Sequence, residues 1–179
     1  MVNAVVHSHK SDEYATPASF FKVLNDQFSF TLDAAASDDN AKCDVYFTKE
    51  TDGLASSWHP QESIYINPPY SQTRDWVRRA WDESIQRGAC VVMLLAARTD
   101  TRWFHEYVYE HPNVHVWFIK GRLRFGGEEH SAPFPSMVVV FGGNDPGAAI
   151  KLYKAREAWE ARRAGWGKKV WPYNTGGEQ

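Results

Sequence analysis

The chain has 179 residues, 43% of them hydrophobic, and a formal net charge of −2, which suits one compact domain with a proper core and argues against global disorder. No apolar run is long enough to cross a bilayer. The polar, His-dotted residues 1–11 lack a signal-peptide core, and the cysteines, Cys43 and Cys90, are too few for a disulfide framework. The expectation is an intracellular protein with no membrane contact, folded as one domain over 1–179, with a mobile start and a basic helix and tail over 147–179.

In chain order, Thr16-Pro17 opens a helix reaching about residue 28, Thr capping the free amides and Pro taking the first helical position. Phe20, Phe21 and Leu24 recur at helical spacing within it. Residues 30–33 read as a short strand ending on Asp33. Residues 34–51 are small and polar and give no assignment, although Val45-Tyr46-Phe47 could be a strand, and Asp52-Gly53 is a turn signal. Residues 63–66 form a strand. Thr73 caps a helix running to Arg87, with Trp76, Val77, Ala80, Trp81 and Ile85 on one side, and Gly88 stops it. Residues 90–95 are continuously apolar, as in a strand covered on both faces, so Cys90 reads as core. A helix over 102–110 ends at His111-Pro112, and 114–119 is a strand. Residues 122–125 and 136–141 look like paired strands joined by the loop 126–135, and 147–163 is a helix. Strands alternating with helices predict an α/β fold: a mixed sheet with a C-terminal antiparallel hairpin.

The charge is unevenly spread. Residues 1–66 contain no arginine and carry −6, residues 67–150 are neutral, and residues 151–179 carry +4. The first arginine is Arg74, so an anionic partner would meet the second half of the chain. Arg74, Arg98, Arg102, Arg122 and Arg124 are the candidates for contact with such a partner; an ion pair with Asp100 or Glu106 is the competing role for Arg98 and Arg102. Seven histidines show no ligand spacing, and no metal is expected.

Asn67-Pro68-Pro69-Tyr70 follows the apolar Ile64-Tyr65-Ile66 and sits where α/β sheets bind ligands, at the carboxyl end of a strand. An exocyclic amine on a flat base is a poor nucleophile because its lone pair is delocalised into the ring. The Asn67 amide oxygen and the Pro68 carbonyl could accept its two N–H bonds, stabilising the positive charge that grows as a methyl group arrives. Pro68-Pro69 stiffens the loop, and Tyr70 would stack on the base.

The chain resembles the phage-type DNA N6-adenine methyltransferases, a small Dam-like family, from about Asp12 to Phe141. The matching stretches include Tyr14-Ala15-Thr16-Pro17, Leu32-Asp33-Ala34-Ala35-Ala36-Ser37, Asp52-Gly53-Leu54 with Trp58, and Asn67-Pro68-Pro69-Tyr70-Ser71. They continue through Ala97-Arg98-Thr99-Asp100-Thr101, Gly121-Arg122-Leu123-Arg124-Phe125 and Ala132-Pro133-Phe134-Pro135-Ser136. The resemblance implies a Rossmann-like methyltransferase fold, S-adenosylmethionine as donor and a flipped adenine in DNA as acceptor. By that likeness Tyr14, Thr16 and Pro17 lie at the donor, the last two through backbone groups, and Asp33 with Ala34 and Ala35 holds the methionine ammonium. Asp52, with Gly53 and Leu54, accepts from the donor's adenine amine. Asp44 or Glu50 would take the ribose hydroxyls. One departure stands out: the family's relatives among methyltransferases usually have a Gly-rich turn after the first-strand acid, and here it is Ala34-Ala35-Ala36-Ser37. Two alternatives remain beside this reading. One is a methyltransferase for an RNA amine or protein glutamine; the other is a non-catalytic nucleic-acid-binding module.

Overall fold

A computed structural model describes residues 15–60, 62–124 and 132–163. Six strands form one sheet: β1 (Leu32–Asp33), β2 (Val45–Tyr46), β3 (Ser63–Ile66), β4 (Cys90–Ala96), β5 (Val114–Phe118) and β6 (Ser136–Phe141). Their spatial order is β2-β1-β3-β4-β6-β5. The pairs β2–β1, β1–β3 and β3–β4 are parallel, while β6 runs antiparallel to both neighbours. The fold is therefore α/β with a mixed sheet, as expected.

Alternation along the strands sends side chains to two cores. Val91, Met93 and Leu95 of β4 join Met137, Val139 and Phe141 of β6 under α2 (Thr73–Arg87) and α3 (Arg102–Tyr107). On the other face Val92 and Leu94 join Val138 and Val140 under α1 (Ala18–Phe28) and α4 (Ala148–Arg162). Every residue of β4 is buried, which explains its uninterrupted apolar run. In α1 the buried Phe20, Val23, Leu24 and Phe28 make the inward stripe. Ser29, in the left-handed region at φ 51°, ends that helix. Gly88 ends α2 at φ 73°, and a Cβ there would collide with the Asn144 side chain.

Four local expectations are corrected. Residues 122–124 form no strand: β6 already has β4 on one side and β5 on the other, so no edge is left for a third partner. The antiparallel partners of β6 are β4 and β5. The segment is instead tied by the Ala132 amide to the Leu123 carbonyl at 2.9 Å. The helix expected over 102–110 stops at Tyr107, and Glu110 takes φ 59° before the His111-Pro112 step. Ile85 is exposed rather than inward. Neither Thr16 nor Thr73 caps its helix: Pro17 is the N-cap of α1 and Gln72 that of α2, with no side-chain capping bond. Both threonine hydroxyls are spent elsewhere. Cys90 is buried as expected, and desolvation pushes its thiol up to about 12. Among the described residues no helix is long and apolar enough to cross a membrane.

A clamp fastens α2 to the loop before β3. Arg79 donates to the Ser56 carbonyl at 3.1 Å, lies over the Trp58 ring at 5.0 Å, and pairs with buried Glu83 at 2.7 Å. Removing the guanidinium weakens all three contacts and leaves Glu83 with Arg87 as its ionic partner. Arg79→Met should lower stability by about 2–3 kcal/mol. Breaking the exposed Lys22–Asp26 pair by Asp26→Asn should cost about 0.5 kcal/mol or less. Denaturant midpoints of the two variants check the contrast.

Candidate active site

The chain leaves β1 for β2 on one side and returns to β3 on the other. The strand order reverses at the β1/β3 boundary, and a crevice opens beyond the carboxyl ends of the strands. A cleft of about 440 Å³ occupies this crevice, within the range of small-ligand sites.

The cleft brings together Thr16, Asp33, Ala34, Ala35, Asp52, Gly53, Leu54, Asn67 and Pro69. Pro68 is buried behind Asn67 and Tyr70 begins a 3₁₀ turn, Tyr70–Gln72, leading straight into α2. The Thr73 hydroxyl donates to the Tyr70 carbonyl at 2.9 Å and fastens that turn to the helix. Pro17 is half-buried at the head of α1 and does not line the cleft. Asp44 and Glu50 are exposed and outside the lining; Glu50 accepts from the Thr48 hydroxyl at 2.8 Å. Tyr14 lies outside the described residues, as do 126–131 of the loop expected over the cleft and 164–179 of the basic tail. The lining also contains Asn40, Lys42, Thr48, Lys49, Tyr65 and Trp76, which the sequence did not single out for the site. Residues 34–51 lack periodicity, and the spacing of Trp76 in α2 pointed only to core.

Asp33 closes β1 and is 3% exposed. Its Oδ2 accepts the Lys42 backbone N–H at 3.1 Å, while Oδ1 is buried without a well-formed hydrogen bond among the described residues. Desolvation pushes its pKa up to about 6, against the pull of the Lys42 and Ala35 amides and the Lys42 charge. Asp33 lines the cleft, and a buried carboxylate short of hydrogen bonds there suits a cationic ligand group.

Gly53 supplies the close backbone approach that the Ala-rich turn lacks. A Cβ on Gly53 would lie 2.1 Å from the Ala34 carbonyl oxygen and 2.8 Å from the Trp76 ring. The Trp58 indole donates to the Gly53 carbonyl at 2.7 Å, and Trp58 stacks with Trp76 at 6.4 Å. Asp52, before it, sits at φ 45°, and its Oδ1 accepts the Leu54 and Ala55 amides at 3.1 and 3.3 Å. That is an aspartate turn, a conformation Asp tolerates better than most residues.

Beyond Asn67, Tyr70 meets Phe134 edge-on with ring centroids 4.6 Å apart. Phe134 had no signal of its own beyond the resemblance, because its partner is 64 residues away in sequence. The five arginines are all exposed. Arg98 follows β4 and Arg74 opens α2, both on the carboxyl side of the sheet. Arg102 pairs with Glu106 at 2.5 Å, and Arg122 donates to the Ala132 carbonyl at 3.4 Å.

A mixed sheet with an antiparallel strand near one edge, and an Asn-Pro-Pro-Tyr loop at its topological switch point, is a methyltransferase-like architecture. The chain belongs to the DNA N-6-adenine-methyltransferase (Dam) family, whose sequence model matches residues 3–160. It is similar to the DNA N-6-adenine-methyltransferase of Haemophilus phage HP1, 30% identical over 154 residues, covering 81% of this chain and 88% of that one. It is also similar to that of Escherichia phage T1, 33% identical over 96 residues, covering 53% of this chain and 40% of the phage T1 protein.

Gly53→Ala should cost about 3 kcal/mol or more, since backbone and a packed indole must both shift. Thermal melting beside circular dichroism reads the loss; an unchanged melting temperature would show that the Gly53–Ala34 approach is not tight.

Proposed function

We propose that this protein transfers a methyl group from S-adenosylmethionine to the N6 amine of an adenine flipped out of DNA. The observation that carries the reading is the shared cleft: Asp33, with its orphaned oxygen, and Asn67 lie at the ends of adjacent strands that flank the switch point. The residues present fit the donor. Asp33 would hold the methionine ammonium, and Asp52 would accept from the adenine amine. The Ala34–Gly53 approach forms a narrow backbone wall. The donor supplies an electrophilic methyl group on a sulfonium.

The protein's own contribution is orientation and charge complementarity. The Asn67 and Pro68 carbonyls accept the two amine N–H bonds and favour the cation that develops on nitrogen. Tyr70, braced by the Phe134 edge, offers a face on which the base can stack. Holding the amine in line with the methyl group supplies much of the acceleration. The adenine is out of reach inside a duplex and must leave the stack. Arg74 and Arg98 would meet the phosphates around it, with Arg122 and Arg124 beside the loop that precedes β6. Arg102 would first have to exchange Glu106 for phosphate.

The test is incubation with labelled donor and unmethylated DNA, RNA or protein, followed by nucleoside analysis. Label in N6-methyladenine from DNA is expected; label in cytosine, in RNA, in protein or nowhere overturns the reading. Asn67→Ala should lower kcat by roughly 10²–10³-fold, the scale of losing one transition-state acceptor, with donor affinity unchanged.

The buried Asp33 sets a pH dependence. Its folded pKa is raised from 3.8 to about 6, so the unliganded fold loses stability as pH rises through that window and the carboxylate ionises in place. The loss is on the order of 3 kcal/mol. Binding an ammonium needs the ionised form, so below about pH 6 donor uptake must expel a proton. Affinity should be flat above pH 6 and fall about tenfold per unit below it. Asp33→Asn should weaken donor binding at neutral pH yet raise the unliganded melting temperature. Calorimetry across pH and melting curves of the variant measure both signs.

A further inference from the structure

The Thr16 hydroxyl, freed from capping α1, joins two parts of the chain far apart in sequence. Its Oγ1 lies 2.7 Å from the Tyr65 hydroxyl and 3.0 Å from Asn67 Nδ2, with Asn67 donating. Thr16 is 5% and Tyr65 1% exposed. The Tyr65 ring is walled by Phe21, edge-on at 5.1 Å, and by Phe30 at 5.3 Å. Its hydroxyl is therefore a fixed point, and burial keeps the phenol neutral.

A primary amide is nearly symmetric in shape, so hydrogen bonds alone decide which end faces which way. The wrong end of Asn67 would present N–H groups to an amine that needs acceptors. A threonine hydroxyl has one proton. When that proton goes to Tyr65, only lone pairs remain for Asn67, and only the nitrogen end of the amide can meet them. The Thr16–Tyr65 bond can run in either direction; with Thr16 as its donor, Asn67 N–H, Thr16 O–H and Tyr65 form a head-to-tail run in which each bond strengthens the next.

We propose that Thr16 and Tyr65 are positioning residues that lock the Asn67 amide with its nitrogen on Thr16, reserving its carbonyl oxygen for the target amine. The inference rests on the methyl-transfer reading above and assigns Thr16 a side-chain role distinct from donor contact. Without Tyr65 the Thr16 proton is released and can bond the Asn67 carbonyl, competing with the substrate for that oxygen.

The test uses Thr16→Val, Thr16→Ser and Tyr65→Phe in the full chain, with unmethylated DNA as acceptor. Thr16→Val keeps shape and removes the hydroxyl; it should lower kcat roughly 10- to 100-fold, the penalty of a slightly misplaced reacting group. Its donor affinity by calorimetry should be unchanged. Thr16→Ser should restore kcat, and Tyr65→Phe should lower it with donor affinity intact. The Asn67 side-chain NH₂ signal in an ¹⁵N-correlated NMR spectrum, assigned by its loss in Asn67→Asp, should shift in Thr16→Val and return in Thr16→Ser. Full kcat in Thr16→Val or Tyr65→Phe overturns the inference. So does an activity loss matched by lost donor affinity, no rescue by serine, or an unmoved amide signal. If the wild type places no label in adenine, the functional reading fails instead, and the NMR comparison still decides the orientation of Asn67.

Discussion

Two adjacent parallel strands end at Asp33 and Ile66, and the candidate site is built on the crevice beyond their carboxyl ends. Because β1 connects outward to β2 and β3 lies on its other flank, no crossover covers the gap between their carboxyl ends. Backbone from three loops meets there: the turn after β1, the Asp52–Gly53 turn and the Asn67 loop. Packing from below holds the gap open. Trp58 and Trp76 stack beneath Gly53, Arg79 lies on Trp58, and buried Glu83 holds Arg79. The Gly53 end of the cleft is thus built on the same helix, α2, that receives the Tyr70 turn through Thr73. A shift of α2 would move both ends of the site together, which keeps their separation constant.

Much of this frame was legible from pattern. Helical spacing in α1 and α2, the apolar run of β4 and the stop at Gly88 report local physics that acts over a few residues. The Asn-Pro-Pro-Tyr loop carries its chemistry in its own side chains, and its place after a strand could be read from Ile64-Tyr65-Ile66. Contacts that join distant residues were not legible. Threonine before a helix has good capping propensity, and only the tertiary structure shows Thr16 reaching Tyr65 and Asn67 instead. The strand expected near Arg122 failed for a similar reason. Its composition suits a strand, but the sheet order leaves it no partner, and order is a property of the whole chain. Gly53 read as a turn residue; its closeness to Ala34, 19 residues earlier, needed coordinates.

The two ends of the cleft solve opposite electrostatic problems. At Asp33 the protein holds a carboxylate out of water, a cost borne by the unliganded fold that the ammonium of the proposed donor would offset. At Asn67 the group is neutral and its polarity is set by orientation alone. In the proposed transfer a neutral carbonyl there would stabilise the cation only as it forms, directing the stabilisation to the transition state. The first 66 residues carry no arginine, and the cationic side chains they bring to the cleft are Lys42 and Lys49.

The placement of β6 has a consequence for how the molecule comes into being. This strand is the last of the six in the chain, yet it lies inside the sheet, between β4 and β5. A nascent chain that has released β1 to β5 therefore still has the facing edges of β4 and β5 unpaired, and the apolar Met137–Phe141 run that joins them is the last strand to emerge. Closure of the sheet waits for residues near 141, and the core under α1 and α4 waits further for Ala148, Leu152 and Ala155, so assembly is late and over long sequence separations. The cleft between β1 and β3 borders strands that are synthesised early, but its acceptor wall, through Phe134, arrives with the final strand.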